Sequence, residues 1–444
     1  KSAPSPGPPV PPAGAMEAAA DRLAEAFDPG GALRPYPLLA PEEWEELPGS
    51  EAAGPVRVGA CRFPKPSGGA AGGAAGRPTR DLCLLPGLLT AEEAEELRSL
   101  AEALSYDDPR VEPVDGRPAC LSSVIKGGEY VCSPALERAL RPIVDSRLLP
   151  FARRRFGWPE AVPCTAFLRR YAAPEGRPCL QPHFDGNAVV TMNVGITDDA
   201  EFAGGMYVQP TADAASRLQV PLGKGDVLMH SYDLLHGVTV VRGVRHSLII
   251  WLRESAASCA SDACPWYARD AARGDADAQL NLAEHCRAGT GGMDQDLGLA
   301  LSLYEEAANQ GHPIAQFKLG VLRERVDGDA GASLPWWRSA AEQGYAKAQR
   351  RLAEYEETGR WLHAAALQGD HLAMYDLYRR LGAPGVALEG ESGGALSWLV
   401  RAARHGHAAA QFELGARVLG LAADAAASAA PGPSAASLIS AALG

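Results

Sequence analysis

The spacing of apolar residues divides the 444-residue chain into stretches of different period. From Asp81, the run DLCLLPGLLT reads as a strand and a turn. Thr90 then opens a helix with Glu93 three residues on, a capping box. Ala94, Leu97, Leu100, Ala101 and Leu104 supply the apolar stripe of that helix. A second helical pair is expected from Ser133 to Phe156, with Pro134 in a first turn and Pro142 breaking the run. At Cys164 the period becomes strand-like. CTAFLRRY, AVVTMNVGI, GGMYVQ, RLQVPL, DVLMHS, LLHGVTVV and RHSLIIWLR are short β-rich runs separated by Gly, Asp and Pro, a pattern that predicts a sandwich or barrel. Helices on one flank of this sheet would complete an α+β domain over residues 81–255. Residues 1–80 are punctuated by Pro, Gly and Ala and are read as linker or disorder, with short helices near Ala15–Phe27 and Pro41–Leu47.

Beyond a short linker the pattern is helical and repetitive. Ala-Gln recurs at 278–279, 315–316, 348–349 and 410–411, and the runs AANQG, AAEQG and AALQG end at Gly311, Gly344 and Gly369. Successive Ala-Gln pairs lie 37 and 33 residues apart, the period of helix-pair solenoids. Over residues 268–421 this resembles the Sel-one-like branch of the tetratricopeptide-type repeats, which implies an all-α solenoid and a protein partner. Residues 422–444 form an Ala-rich tail.

Composition narrows the function. The 54 acidic residues outnumber 42 Lys and Arg, a net charge of −12, which argues against a phosphate-tracking nucleic-acid binder. No stretch reaches the ~20 apolar residues of a membrane span. A soluble protein follows from this, with a cytoplasmic location favoured over the endoplasmic reticulum. Nine cysteines cannot all pair within one chain, show no C-x-x-C spacing, and are read as free thiols rather than a disulfide framework.

The chemistry concentrates in QPHFDGNAVVTMNVGI and DVLMHSYDLLHGVTVVRGVRHSLIIWLR. His183 and Asp185, two apart on a strand, share one face and can grip one ion. His236, 51 residues after Asp185, supplies a third ligand from a separate run. Two imidazoles and one carboxylate with open positions suit non-haem Fe(II). Arg245, nine residues past His236 and beyond an expected turn at Arg242-Gly243, would face the same pocket from the next strand. There its guanidinium can hold a distal carboxylate bidentately, which points to 2-oxoglutarate. His230 competes for the third ligand place but is read as facing outward, and His246 alternates away from the pocket. The histidines of the repeats are read as surface or packing residues.

These motifs, in this order over residues 81–254, resemble the prolyl/lysyl hydroxylase branch of the 2-oxoglutarate-dependent Fe(II) dioxygenases. The resemblance implies a double-stranded β-helix (jelly-roll), with His183, Asp185 and His236 as metal ligands and Arg245 as the co-substrate anchor. It also implies Tyr171 and Thr191 beside the co-substrate, Asn193 in the substrate pocket, and O2 and L-ascorbate as further requirements. Four residues after Thr191, where prolyl-type sequences carry a tyrosine, this chain has Gly195. The expected activity is hydroxylation of a prolyl or lysyl residue in a protein or peptide. The alternatives are a catalytically silent scaffold and a small-metabolite hydroxylase. A nucleic-acid demethylase is disfavoured, because Trp251 stands six residues past Arg245, where those enzymes carry a second arginine.

Overall fold

The computed structural model describes residues 36–47, 56–65, 79–106, 119–173, 179–328, 330–356, 359–382 and 394–426. It divides into two compact units, one over Pro35–Gln343 and the other containing the chain from Gly344 onward.

The first unit is built on a twelve-stranded sheet whose named strands all pair antiparallel. Its strands are β1 (Glu43–Leu47), β2 (Val56–Pro64), β3 (Thr79–Leu85), β4 (Leu121–Lys126), β5 (Glu129–Tyr130) and β6 (Val162–Ala173), then β7 (Cys179–His183), β8 (Val190–Gly195), β9 (Phe202–Val208), β10 (Leu218–Gln219), β11 (Val227–Ser231) and β12 (His236–Arg253). The main path runs β1-β2-β3-β11-β8-β12-β6-β4-β5. The strand β12 is eighteen residues long. Its first half lies between β7 and β9 and its second half between β6 and β8.

Alternation sends side chains to two cores. Val190, Met192 and Val194 of β8, with Val227 and Met229 of β11, enter a large cluster under the helices. Leu82, Leu84, Leu228, Val238 and Val240 enter a second cluster on the opposite face, together with Tyr171. Both faces of β8 and β11 are buried, so these strands show no exposed polar face from which their two sides could be told apart. Flanking the sheet are α1 (Ala91–Glu102), α2 (Pro134–Ile143) and α3 (Leu149–Phe156). Thr90 and Glu93 form the expected capping box on α1. Pro142 does not break the second run. A π-helical turn at Val144–Leu148 follows it, and the Ser146 hydroxyl donates to the Pro142 carbonyl at 2.5 Å.

Three further sequence expectations change. The segment 43–47, read as helical, is the edge strand β1, paired in register from Glu43 opposite Ala60 to Leu47 opposite Val56. Arg57 lies 4.1 Å over the Trp44 ring, and cross-strand pairing of this kind overrides the helix propensity of Glu and Leu. With β2, this strand places part of the expected linker within the sheet; Ala15–Phe27 lies outside the described residues. Finally, two of the nine cysteines pair, as Cys164–Cys259 joins β6 to α4 (Ala256–Ser261) across a Cα separation of 5.6 Å.

The helices α5 (Pro265–Ala272), α6 (Ala276–Ala288), α7 (Leu297–Asn309), α8 (Pro313–Asp327) and α9 (Leu334–Glu342) belong to the same unit as the sheet. Trp266, Tyr267, Leu280, Tyr304 and Leu319 share one core cluster with Val190 and Met229. The second unit holds α10 (Ala346–Leu352), α11 (Arg360–Leu367), α12 (His371–Leu381), α13 (Ala395–Arg404) and α14 (Ala408–Ala426). No helix among the described residues is long and apolar enough to cross a membrane.

The two recurring sequence signatures meet in space. Gln310 donates to Gln279 at 2.7 Å, Gln343 to Gln316 at 2.9 Å, and Gln368 to Gln349 at 2.9 Å. The glutamines of the first three Ala-Gln pairs therefore accept from the glutamine of the following AANQG-type run. Gln316 also donates to the Ala308 carbonyl at 3.2 Å. Replacing Gln316 with alanine removes one donor to the Ala308 carbonyl and one acceptor for Gln343, each worth about 0.5–1.5 kcal/mol, so urea denaturation of Gln316→Ala should show a loss of about 1–3 kcal/mol. A variant as stable as the wild type would deny these amide pairs a structural role.

Candidate metal centre

Strand register brings the three ligand-type residues together. His183 ends β7 and stands directly opposite His236, the first residue of β12. Their ring centroids are 4.5 Å apart. Asp185 lies two residues past the end of β7, in the extended segment before the turn at Gly186-Asn187. Its carboxylate oxygens lie 3.6 Å from His183 Nε2 and 3.5 Å from His236 Nε2. One ligand atom from each of the three residues falls within 4.8 Å of the other two.

The donors are oriented from behind. His183 Nδ1 lies 2.9 Å from the Gln181 carbonyl, and His236 Nδ1 3.0 Å from the Leu234 carbonyl. A carbonyl can only accept, so each Nδ1 carries the proton and each Nε2 turns a lone pair inward. The Thr191 hydroxyl donates to Asp185 Oδ2 at 2.6 Å. Thr191 therefore reaches the site through the carboxylate it orients. Cis ligand atoms around an octahedral ion bound at ~2.1 Å lie ~3 Å apart, so the Nε2–carboxylate spacings need only a slight contraction to enclose one. Two neutral imidazoles and one buried carboxylate fit a divalent transition metal.

Burial opposes charge on the imidazoles. It pulls the His183 pKa down, helped by the neighbouring His236 and partly countered by Asp185. Burial also works against the Asp185 carboxylate, but His236, His183, His230 and the Thr191 hydroxyl outweigh it and hold its pKa below the usual value.

His230 is not turned outward. It is wholly buried on β11, its ring centroid 4.5 Å from that of His236 and its Nε2 3.8 Å from Asp185 Oδ2. Its Nδ1 lies 3.0 Å from the Ser231 carbonyl, while its Nε2 is buried without a hydrogen-bond partner. Burial, helped by the neighbouring His236, pushes its pKa down to about 4. The signal for this third imidazole was in the strand: His230 alternates with Met229, which faces the helices.

Arg245 is buried in the second half of β12, opposite Tyr171 of β6. There is no turn at Arg242-Gly243. The strand is continuous, and a bulge between Val240 and Arg242 supplies the extra residue. That bulge turns Arg245 to the face already occupied by His236, Val238 and Val240. One guanidinium nitrogen, Nη2, is buried with no partner among the described residues, while Phe202 lies 5.7 Å beneath the group. Desolvation lowers the Arg245 pKa; the Tyr171 phenol and Asp199 favour its charge. Asn193 is buried on the Thr191 face of β8, opposite Leu228 and Ile249. His246 points away, toward Tyr106. Sequence reasoning missed Arg169, a buried cation two residues before Tyr171 on the same strand, whose guanidinium lies 5.1 Å over Phe167. At Gly195 any Cβ would lie 2.1 Å from the Gly223 carbonyl oxygen, so the turn backbone fills the space a tyrosine would need.

The Sel1 repeat family model matches residues 276–312 and 313–345. No curated protein matches the chain. Among solved structures it is similar to a protective antigen of uropathogenic Escherichia coli strains displaying an SLR fold, at 34% identity and a TM-score of 0.31, over 36% of this chain and 37% of that one. This chain thus spans little more than a third of that protein. It is also similar to an oxidoreductase of the 2OG-Fe(II) oxygenase family from Burkholderia pseudomallei (20% identity, 39% of this chain, 85% of that chain, TM-score 0.32). A prolyl-4-hydroxylase from Pseudomonas putida is similar at 16% identity, over 39% of this chain and 91% of that one, with a TM-score of 0.29.

The depressed histidines predict an acid-sensitive metal-free protein. A histidine titrates near 6.5 when unfolded, so between about pH 4 and 6.5 the unfolded chain binds the proton that buried His230 refuses. Stability contributed by this difference is present above the unfolded pKa and is lost as pH falls through that window. Thermal unfolding of metal-free His230→Leu should therefore show a shallower fall in Tm between about pH 7 and 4.5 than the wild type. Parallel curves would mean that His230 is not held neutral.

Proposed function

We propose that this chain is an Fe(II)- and 2-oxoglutarate-dependent dioxygenase that hydroxylates a C–H bond of a prolyl or lysyl residue in a protein or peptide. One observation carries the reading. A single bulged strand turns His236 and Arg245 to one buried face, where His236 meets His183 and Asp185 while Arg245 keeps an unpartnered guanidinium nitrogen. The motif order over residues 81–254 supports the same reading, and the sheet is read as a double-stranded β-helix whose interior holds the site.

Bound by His183, Asp185 and His236, the metal would supply O2-dependent oxidation coupled to decarboxylation of 2-oxoglutarate to succinate. The residues of the chain do the rest. His183, Asp185 and His236 would hold the metal from one side and leave its other side open to co-substrate and O2. Arg245, with Tyr171 across from it, holds the distal carboxylate through charge-assisted hydrogen bonds strengthened by burial. Thr191 fixes the orientation of Asp185 by its hydroxyl. Leu180, Leu228 and Val238 keep water from this end of the pocket. Asn193 lines the substrate side, near the apolar wall formed by Phe167, Ile249 and Trp251. Repeats of the Sel1 kind present an extended surface for protein partners, which favours a protein or peptide over a free metabolite.

The test is succinate release from 2-oxoglutarate with Fe(II) and ascorbate across a set of Pro- and Lys-containing peptides. His183→Ala should abolish release. Arg245→Gln removes a buried charged donor worth about 1.5–3 kcal/mol, so the KM for 2-oxoglutarate should rise about 10–100-fold with a smaller effect on kcat. Absence of succinate above background with every peptide would favour the silent scaffold instead.

A further inference from the structure

We propose that α5 and the first helical repeat after it are a working part of the metal centre: they position the two segments that carry Asp185 and His236. This inference rests on the reading of His183, Asp185 and His236 as ligands. Two separate sets of contacts lead to it, both within the unit Pro35–Gln343.

The first set reaches Asp185. The carbonyl of Gly186, the next residue, accepts a hydrogen bond from the Tyr267 hydroxyl of α5 at 3.0 Å. Nε2 of His285 on α6 lies 3.4 Å from the same oxygen. Tyr267 is wholly buried, and burial pushes its phenol well above the ordinary value, so the hydroxyl stays a donor. A carbonyl fixed in this way limits rotation of the segment that aims the Asp185 carboxylate.

The second set reaches His236 through the connection between β11 and β12. Tyr232 packs edge-on against Tyr267 at 5.1 Å, and its hydroxyl donates to Asp270 of α5 at 3.3 Å. Asp233, three residues before His236, accepts from Ser231 at 2.5 Å and pairs with Lys65 at 2.6 Å. Lys65 also pairs with Asp275, the N-cap of α6, and lies 3.6 Å from Asp277 on that helix. Arg80 holds Asp277 at 2.8 Å and 3.2 Å, and His312, the N-cap of α8, closes the network at 3.0 Å. All of these charged groups are buried or nearly so, in the sheet on one side and in the repeats on the other. A buried ionic network of fixed geometry sets register, which is what a ligand-bearing loop needs.

None of these repeat residues touches the metal site, so they act as positioning residues. Outer partners of metal ligands affect affinity by about 10–100-fold, and this chain places such partners on a module that sequence reads as separate. Metal binding must in turn stabilise α5 and α6, because the coupling is reciprocal.

The test is a Co(II) titration of the full-length chain, read by the absorption of the bound ion. Tyr267→Phe keeps the ring and its packing and removes only the donor; it should weaken Co(II) binding about 10-fold and alter the absorption band. Lys65→Met should do the same, and Lys65→Arg should restore most of the loss. Tyr378→Phe removes a buried phenol hydroxyl that bonds Glu413 in the other unit and should leave the affinity within about twofold. Hydrogen exchange over residues 265–288 should slow on Co(II) addition in the wild type and less in Tyr267→Phe. If the wild type binds Co(II) and Tyr267→Phe binds it equally well with the same spectrum, the positioning role is wrong. A wild type that binds no Co(II) would instead overturn the functional reading beneath it.

Discussion

The geometry of this site depends on the point at which one strand breaks its alternation. His236 and Arg245 are nine residues apart, an odd number, so an unbroken β12 would turn them to opposite faces of the sheet. The bulge between Val240 and Arg242 corrects the count. It costs ladder hydrogen bonds and leaves Val241 exposed at 43%. Gly243 makes it possible, with φ at +79° and no room for a Cβ against the Glu201 carbonyl. The same bend lets the strand pass from β7 and β9 to β6 and β8, so one feature both redirects the sheet and assembles the pocket.

Around this bend the sheet tolerates an unusual load of buried polar groups. His230, His236, Asp185, Arg245, Thr191 and Asn193 are all buried, with His183 at their edge, and in such a place a charge or an unpaired donor is expensive. The protein limits the cost by disfavouring charge on His183 and His230 and by satisfying the Nδ1–H groups of all three imidazoles with backbone carbonyls. What stays unsatisfied is directional: Nε2 of His230 and Nη2 of Arg245 are orphaned. Orphaned atoms of this kind are rare in folded proteins; one lies beside the Asp185 carboxylate and the other on the strand that carries His236.

Much of this was legible in the sequence, and the omissions have physical causes. The helix at Ala91–Glu102 could be read because its capping box and its apolar stripe are both local. The Ala-Gln and AANQG-type signatures could be read because each repeat uses the same amide pair. The spacing of His183, Asp185, His236 and Arg245 pointed to one pocket. The bulge that makes the spacing work was not visible, since Arg242-Gly243 resembles an ordinary turn. His230 was misread because both faces of β11 are buried, and alternation carries little information when neither face is polar. The strand at Glu43–Leu47 was misread because its pairing partner, not its own composition, decides its conformation.

Long-range pairing was out of reach for the same reason, and it changes how the repeats should be understood. Tyr267 reaches Gly186 across 81 residues, and Lys65 reaches Asp275 across 210. No local pattern encodes either contact. A repeat array normally closes its first helix pair with a polar outer face. Here that pair instead buries Asp275 and Asp277 against Lys65 and Arg80, and inserts Trp266 and Tyr267 into the core beneath the sheet. Three carboxylates facing two cations form a poor device for stability alone, because apolar side chains of equal volume would serve as well or better. Their value lies in fixing one arrangement of α6 against the β11–β12 connection. The composition change near residue 255 therefore marks a change of secondary structure, while the physical boundary of the unit lies after Gln343.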